Sequence, residues 1–265
     1  MAKLSKRETW LIGGIVVAAL VAVIAIFARP AGPGSEQDAS KPAAVQPAVT
    51  DAAGGSTQSN QNPSEQPPAG QQQQEGPTTI EELRRRDADD YTAIGDVDAP
   101  LVMIEYSDYR CPYCGLYATQ TRPELIERYV ETGQMRIEWR DTPIFGEQSF
   151  DAAVAARAAG EQGKFHEYNH AIFELAEEGG HTDLPRERLI SVAEQVGVPD
   201  LEQFKADLES PDLLAAVQAD HQEAYSIGVN STPTFIIGEI AVQGAHPTEN
   251  FIQAIDEQLA ALDEG

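Results

Sequence analysis

The chain has few cysteines and few basic residues. Its 265 residues include two cysteines, Cys111 and Cys114, and 18 Lys and Arg against 43 Asp and Glu. Two cysteines exclude a disulfide-dense scaffold and an all-cysteine zinc centre, which takes four ligands. The formal net charge of −25 disfavours binding to nucleic acid or to anionic lipid surfaces, and it favours solubility.

The two cysteines stand in the short motif Cys111-Pro112-Tyr113-Cys114. Such a C-x-x-C pair is a redox centre, half of a zinc site or a structural staple. A zinc site needs two more ligands from histidines or carboxylates elsewhere. A structural disulfide stabilises a fold chiefly by closing a long loop, and only two residues separate these cysteines, so the gain in stability would be small. A redox pair needs only the two thiols, so the spacing favours a redox centre.

The N-terminus indicates the compartment. Basic residues precede an uncharged apolar run from Trp10 to Phe27, which is close to the roughly 20 residues that cross a bilayer. The positive flank predicts that residues 1–9 are cytoplasmic and that 10–28 form a single-pass cell-membrane anchor. A cleaved signal peptide is the alternative, although the run is long and its end is a poor cleavage site. Either way the remainder is exported, and disulfides persist outside the cytosol.

Two regions follow the apolar run. Residues 29–79 are rich in Pro, Gly, Ser, Ala and Gln and show no apolar periodicity, so we expect a disordered linker. Residues 80–265 have the length of one domain. Residues 1–29 hold four basic side chains and one acidic one, so the exported part carries a net charge of −28.

The domain alternates apolar strand patterns with helical ones, which predicts an α/β layer fold. Strands are expected at 101–106, 135–139, 234–237 and 240–242. The helix after Cys114 should be kinked by Pro123, and its predicted apolar face comprises Leu116, Leu125, Ile126 and Tyr129. Residues from about 147 to 226 lack strand signals and predict a helical insertion, with Asp183 and Ser210 as helix caps.

The predicted strand-to-helix junction makes the two cysteines unequal. Cys111 falls at the helix N-terminus, where free N–H groups and the helix dipole favour a thiolate and lower its pKa. Pro112 suits the first helical turn, which has no use for its missing N–H. Cys114, one turn later, should be shielded and can resolve a mixed disulfide. Cys111 is therefore the predicted nucleophile and Cys114 the resolving thiol.

Two further residue groups are candidates for the surroundings of the pair. Glu105 lies near the end of a continuous apolar run, so a buried carboxylate with a raised pKa could exchange protons with the thiols. A solvated surface Glu105 is the alternative. The second group is Thr232-Pro233 at the start of an apolar strand, where the peptide bond is either an ordinary trans bond or a cis bond.

The stretch from His166 to His170 matches H-E-x-x-H, the zinc-protease pattern. The pattern is short, and no third ligand is evident downstream. We therefore interpret the two histidines as solvated residues on a helix and predict no metal site.

Together these motifs resemble a known family. Gly95-x-x-x-Ala99-Pro100, then LVMIEYSDYRCPYC, then STPTF are similar to the DsbA-like branch of the thioredoxin superfamily, over about residues 90–260. The resemblance implies a thioredoxin-like fold with a helical insertion and no cofactor beyond a Cys111–Cys114 disulfide. It implies Cys111 as the attacking thiol and Cys114 as the resolving one.

The same resemblance implies the rest of the site and the partners. Pro233 would be a cis-proline facing the disulfide, preceded by Thr232, and Glu105 a buried acid beneath the site. The implied partners are exported protein thiols or disulfides and a separate membrane redox partner that recycles a monomeric enzyme. Tyr113 is a departure, because the best-known oxidase members carry His there, and a neutral Tyr cannot stabilise a thiolate by charge.

The predicted activity is thus oxidation of exported protein thiols outside the cytoplasm. Two alternatives remain open. One is a disulfide reductase or isomerase of the same fold. The other is an anchored chaperone or binding module in which the disulfide is structural.

Overall fold

The computed structural model describes residue 77 and residues 79–176 and 179–264. The predicted cytoplasmic N-terminus, the membrane anchor and nearly all of the linker lie outside these residues. Within the described ranges, no helix combines the length and the apolarity needed to cross a bilayer.

Four strands form one mixed sheet in the order β2-β1-β3-β4. They are β1 (Leu101–Ser107), β2 (Met135–Asp141), β3 (Thr234–Ile237) and β4 (Ile240–Gln243). β1 and β2 are parallel, β3 is antiparallel to β1, and β4 is antiparallel to β3. The ends of all four strands were predicted to within two residues, because each strand is a short run rich in apolar, β-branched or aromatic side chains between turns.

A short helix, α1 (Ile80–Leu83), precedes the sheet, and the helix after Cys111 is irregular. It runs through α2 (Pro112–Leu116), a π-helical turn (Tyr117–Thr121), α3 (Arg122–Leu125) and a second π-helical turn (Ile126–Val130). A widened turn thus precedes Pro123, which lacks the N–H of a regular ladder.

The prediction for Leu116 was wrong. Leu125 and Tyr129 are buried, but the Leu116 side chain is 40% exposed. Leu116 precedes the first π-helical turn, which shifts the later residues around the helix axis, so Leu116 does not share the buried face of Leu125 and Tyr129.

Between β2 and β3 the described residues form five helices. They are α4 (Glu147–Gly160), α5 (Phe165–Glu174), α6 (Arg186–Gln195), α7 (Leu201–Asp207) and α8 (Pro211–Ser226). The break between α4 and α5 was predicted, and Gly163 there adopts a left-handed φ of 70°. Ser210 caps α8 as predicted, whereas Asp183 caps no helix, since α6 begins later, after Pro185. Asp183 instead accepts a hydrogen bond from Gln148.

The sheet is packed differently on its two faces. One face meets the helix after Cys111 and the C-terminal helix α9 (Thr248–Asp263), with Tyr117, Phe235 and Phe251 in mutual ring contact. The other face buries charge on β2, where Arg140 contacts Glu138. Burial of these groups is tolerated because each is paired.

Candidate active site

The two cysteines lie where β1 passes into α2. Cys111 has extended backbone angles at the N-cap of α2, and Pro112 occupies the first turn. Both thiols are free. Cys114 is fully buried and Cys111 is 2% exposed, while the Tyr113 side chain between them is 63% exposed. The structure therefore describes the reduced pair, with the predicted nucleophile nearer to solvent than the predicted resolving thiol.

The second predicted motif reaches the pair from β3. The Thr232–Pro233 peptide bond is cis. The Sγ of Cys111 donates a hydrogen bond to the carbonyl oxygen of Thr232 at 3.3 Å. Residues 121 positions apart in the chain thus meet at one site.

The pKa values of the two thiols are shifted in opposite directions. The pKa of Cys111 is lowered to about 6, chiefly by its hydrogen bond with the Cys114 thiol and further by the Thr232 side chain and the backbone N–H groups of Cys114 and Tyr113. These contributions outweigh burial, which acts against the thiolate. Burial raises the pKa of Cys114 well above its ordinary value, and the neighbouring Cys111 raises it further. Near pH 7 the pair therefore holds one thiolate, on Cys111.

Glu105 is buried between β1 and the helix that carries the cysteines. Burial raises the pKa of its carboxyl, and the positive charge of Arg122 only partly opposes this rise. The Nη1 atom of Arg122 lies 3.7 Å from Oε1 of Glu105. Among the described residues, neither carboxyl oxygen of Glu105 has a partner in hydrogen-bond geometry.

Asp108 and Arg122 are site residues that the sequence analysis did not identify. The Asp108 carboxylate is buried and accepts hydrogen bonds from the backbone N–H of Arg110 (2.8 Å), Ile144 (2.7 Å) and Phe145 (3.2 Å). It thereby ties the active-site turn to the loop after β2. The sequence did offer a signal for Asp108, because it stands three residues before Cys111 at a turn, and Asp side chains there often accept hydrogen bonds from nearby backbone N–H groups.

A groove opens beside the pair on the side of the helical insertion. It has a volume of about 530 Å³. Its walls include Tyr113 and Leu116 from α2 and Phe173 and Glu174 from α5. The opposite flank of the helix is closed, because Tyr117 packs there against α9 and β3.

The two histidines of the H-E-x-x-H stretch line a different cavity. It has a volume of about 310 Å³ and is also lined by Glu105 and Arg122. Within the residues that the structure describes, no three His, Cys, Asp or Glu side chains come together in a way that could hold a metal ion.

Comparison with known proteins identifies the family. Residues 87–257 match the sequence profile of the family described as Thioredoxin. The chain is 34% identical over 166 residues to the Na(+)/H(+) antiporter NhaA 1 of Mycobacterium sp. (strain KMS), which covers 61% of this chain and 26% of the antiporter. The chain therefore spans about a quarter of that relative, and the match concerns a part of it.

Two other relatives are matched over most of their length. The chain is 28% identical over 172 residues to the probable disulfide bond formation protein D of Bacillus cereus, covering 63% of this chain and 78% of that protein. The crystal structure of oxidised BdbD from Bacillus subtilis superposes with a TM-score of 0.60 at 19% identity, covering 64% of this chain and 92% of BdbD. The chain therefore belongs to the thioredoxin family.

Proposed function

We propose that the protein catalyses thiol–disulfide exchange and oxidises the thiols of exported proteins outside the cytoplasm. The observation that carries this proposal is the unequal pair. Cys111 has a pKa of about 6 beside the cis Thr232–Pro233 bond, and Cys114 is fully buried with a raised pKa. Such an arrangement gives one attacking sulfur and one shielded, resolving sulfur.

The reaction starts from the Cys111–Cys114 disulfide. A client thiolate attacks Sγ of Cys111, the S–S bond breaks, and its electron pair passes to Cys114. A second client thiolate then attacks the client sulfur of the mixed disulfide and displaces Cys111. Cys111 is a good leaving group, because its thiolate is stable near neutral pH. The client loses two electrons and the protein gains them, so a separate membrane redox partner must reoxidise the pair.

Glu105 supplies the proton that this sequence requires. The raised pKa keeps its carboxyl protonated at higher pH than an exposed glutamate, so it can donate to the thiolate that forms on Cys114. The cavity lined by Glu105, His166 and His170 reaches the outer surface of α5 and gives a path by which solvent can reprotonate the carboxyl.

The groove beside Tyr113 is the surface on which the client chain would lie. Pro112 and Tyr113 line the groove next to the cysteine pair, and the only charged residue on its described walls is Glu174. An apolar groove with an acidic edge fits an unfolded segment with apolar and basic side chains next to its cysteine.

The location outside the cytoplasm rests on the sequence. The apolar run with its basic N-terminal flank supports a tethered domain on the outer side of the membrane. There, protein thiols can be converted into lasting disulfides.

Oxidative refolding of reduced ribonuclease A tests the proposal. The oxidised wild-type protein should restore ribonuclease activity, and the Cys111→Ser variant should not. If the variant refolds the client as well as the wild type, the chaperone alternative is correct. Thiol trapping in cells tests the direction, since an oxidase is held mostly as the disulfide and a reductase or isomerase mostly as the dithiol.

A further inference from the structure

The cavity lined by Glu105 and Arg122 is a second concave site, and neither cysteine is among its described lining residues. Its volume is about 310 Å³. An apolar cavity of about 150 Å³ can hold a benzene molecule, so this one has room for two fused aromatic rings. Cavities of this size with apolar walls and a few polar groups are where proteins bind small molecules.

The walls of the cavity are mostly apolar. They include Ile137 and Trp139 from β2, Phe165 from α5, and Ala118 and Ile126 from the helix that carries the cysteines. The rings of Trp139 and Phe165 meet edge to face, with their centroids 6.2 Å apart. Aromatic rings attract one another in such offset and edge-to-face arrangements, so these walls favour an aromatic occupant over an aliphatic one.

One polar group on these walls is a buried carboxyl without a partner. The Glu105 side chain is 1% exposed, and neither of its oxygens is hydrogen-bonded to another described residue. Polar groups buried to this extent almost always have a partner in a folded protein. Because Glu105 lines the cavity, its oxygens are placed to bond to a molecule inside it.

The second polar group is a guanidinium that is held in a fixed position. Nη2 of Arg122 donates to Oδ1 of Asn169 at 2.7 Å, and the guanidinium carbon lies 5.7 Å from the centre of the Phe173 ring. Nη1 lies 3.7 Å from Oε1 of Glu105, which is too far for a hydrogen bond. Arg122 therefore presents a fixed positive charge next to the carboxyl of Glu105.

These two groups decide which charge a ligand can carry. A cationic ligand would be repelled by Arg122. A ligand carboxylate would accept a hydrogen bond from Nη1 of Arg122, and bonds of this kind between charged groups are among the strongest in proteins. Burial raises the pKa of Glu105 and thus favours its neutral carboxyl, which can donate its O–H to the second oxygen of the ligand.

We infer that this cavity binds a small aromatic monocarboxylate. Its fused rings lie against Trp139 and Phe165, and its carboxylate is held by Arg122 and by the Glu105 carboxyl. The site adds a ligand to the protein beyond the proposed thiol–disulfide exchange. Since the described walls include no cysteine, this ligand is not a thiol client.

Other titratable groups also face Glu105. Tyr117 faces it from the same helix as Arg122, and His166 and His170 line the cavity from α5. The residues that β2 and the segment before β1 contribute to the described walls are not ionisable. Binding should weaken as Glu105 loses its proton, because two carboxylates would then meet. Loss of charge from the histidines would act in the same direction, so the test must separate them from Glu105.

The experiment measures binding of 2-naphthoate to the full-length protein by isothermal titration calorimetry between pH 5 and 9. A blank titration into the detergent buffer is subtracted. Two probes of the same shape, neutral 2-naphthamide and cationic 2-naphthylmethylamine, compare ligand charge on the wild-type protein without any substitution. The variants are Arg122→Gln and Glu105→Gln, and circular dichroism checks that each is folded. Arg128→Gln is the control, because Arg128 is half exposed and pairs with Asp256 on α9.

We expect 2-naphthoate to bind in a 1:1 complex. 2-Naphthamide should bind about ten- to a hundredfold more weakly, and Arg122→Gln should weaken binding of 2-naphthoate by a similar factor, the range for a hydrogen bond to a charged group. Arg128→Gln should match the wild type. Affinity of the wild type should fall with rising pH, and Glu105→Gln should remove this fall, because its neutral amide donates a hydrogen bond at every pH.

Four results would overturn the inference. They are no binding of 2-naphthoate at pH 5, an amide or amine that binds as tightly as the acid, a wild-type affinity in folded Arg122→Gln, or a fall with pH that persists in Glu105→Gln. The last result would assign the pH dependence to the histidines. The comparison of the three probes decides the charge of the ligand even if a variant does not fold.

Discussion

Tyr113 should set the reduction potential of the pair between those of thioredoxin and DsbA. The Cys111 thiolate exists only in the reduced protein, so a lower pKa stabilises that form and makes the disulfide more oxidising. With a pKa of about 6 in place of the ordinary 9.0, the thiolate stabilises the reduced form at pH 7 by about 1.4 kcal/mol, or about 30 mV for two electrons. The corresponding pKa is about 7 in thioredoxin and about 3.5 in DsbA. We therefore expect a potential between about −270 and −120 mV.

Replacing Tyr113 by His should move the potential towards DsbA. An imidazolium next to Cys111 would lower the thiolate pKa, and each unit is worth about 30 mV at pH 7. Because the side chain at position 113 is 63% exposed, solvent screens the charge, and we expect about 10–30 mV. The control is Tyr225→His, at a tyrosine of similar exposure on α8.

The assay is equilibration with glutathione buffers of known ratio, followed by alkylation of free thiols. The wild type should be half reduced at a potential above that of thioredoxin, and Tyr113→His should exceed both the wild type and Tyr225→His. A wild-type potential at or below that of thioredoxin, or equal potentials for the two His variants, would refute the reasoning.

Three further predictions concern the surroundings of the pair. The first concerns Glu105, whose carboxyl has a raised pKa in the folded state. Such a group contributes stability below its unfolded-state pKa, and this stability is lost as the pH rises through its folded-state pKa. Glu105→Gln should therefore be more stable than the wild type at high pH, by about 1.4 kcal/mol for each unit by which folding raises the pKa. Urea unfolding should show the gain at pH 8 and not at pH 4. Gly115→Ala should lose about 1–3 kcal/mol in the same assay, since its Cβ would clash with Ala176. Leu116→Ser should slow oxidation of an apolar cysteine peptide about three- to tenfold, measured by thiol trapping, while Leu262→Ser on α9, also exposed, should not.

The sheet could be predicted because its strands are local patterns. Leu101 to Ser107 and Thr234 to Ile237 are short apolar runs bounded by turn residues, and a C-x-x-C motif after such a strand indicates where the helix begins. The inequality of Cys111 and Cys114 followed from their positions on that helix. Burial of Glu105 followed from the continuous apolar character of its strand.

The parts that could not be predicted depend on which residues face each other after folding. Two π-helical turns after Cys114 rotate the later residues around the helix axis relative to a regular α-helix. Regular helical spacing therefore wrongly placed Leu116 in the core. It also gave no reason to pair Arg122 with Glu105.

The central claim is that Cys111 forms the bond with the client and Cys114 resolves it. The most direct test incubates the reduced Cys114→Ser and Cys111→Ser variants with a disulfide-containing client and separates covalent complexes on a non-reducing gel. Cys114→Ser should accumulate a mixed disulfide, mapped to Cys111 by mass spectrometry, because no second thiol can release the client. A complex formed through Cys114 in the Cys111→Ser variant, or no complex with either variant, would contradict the account.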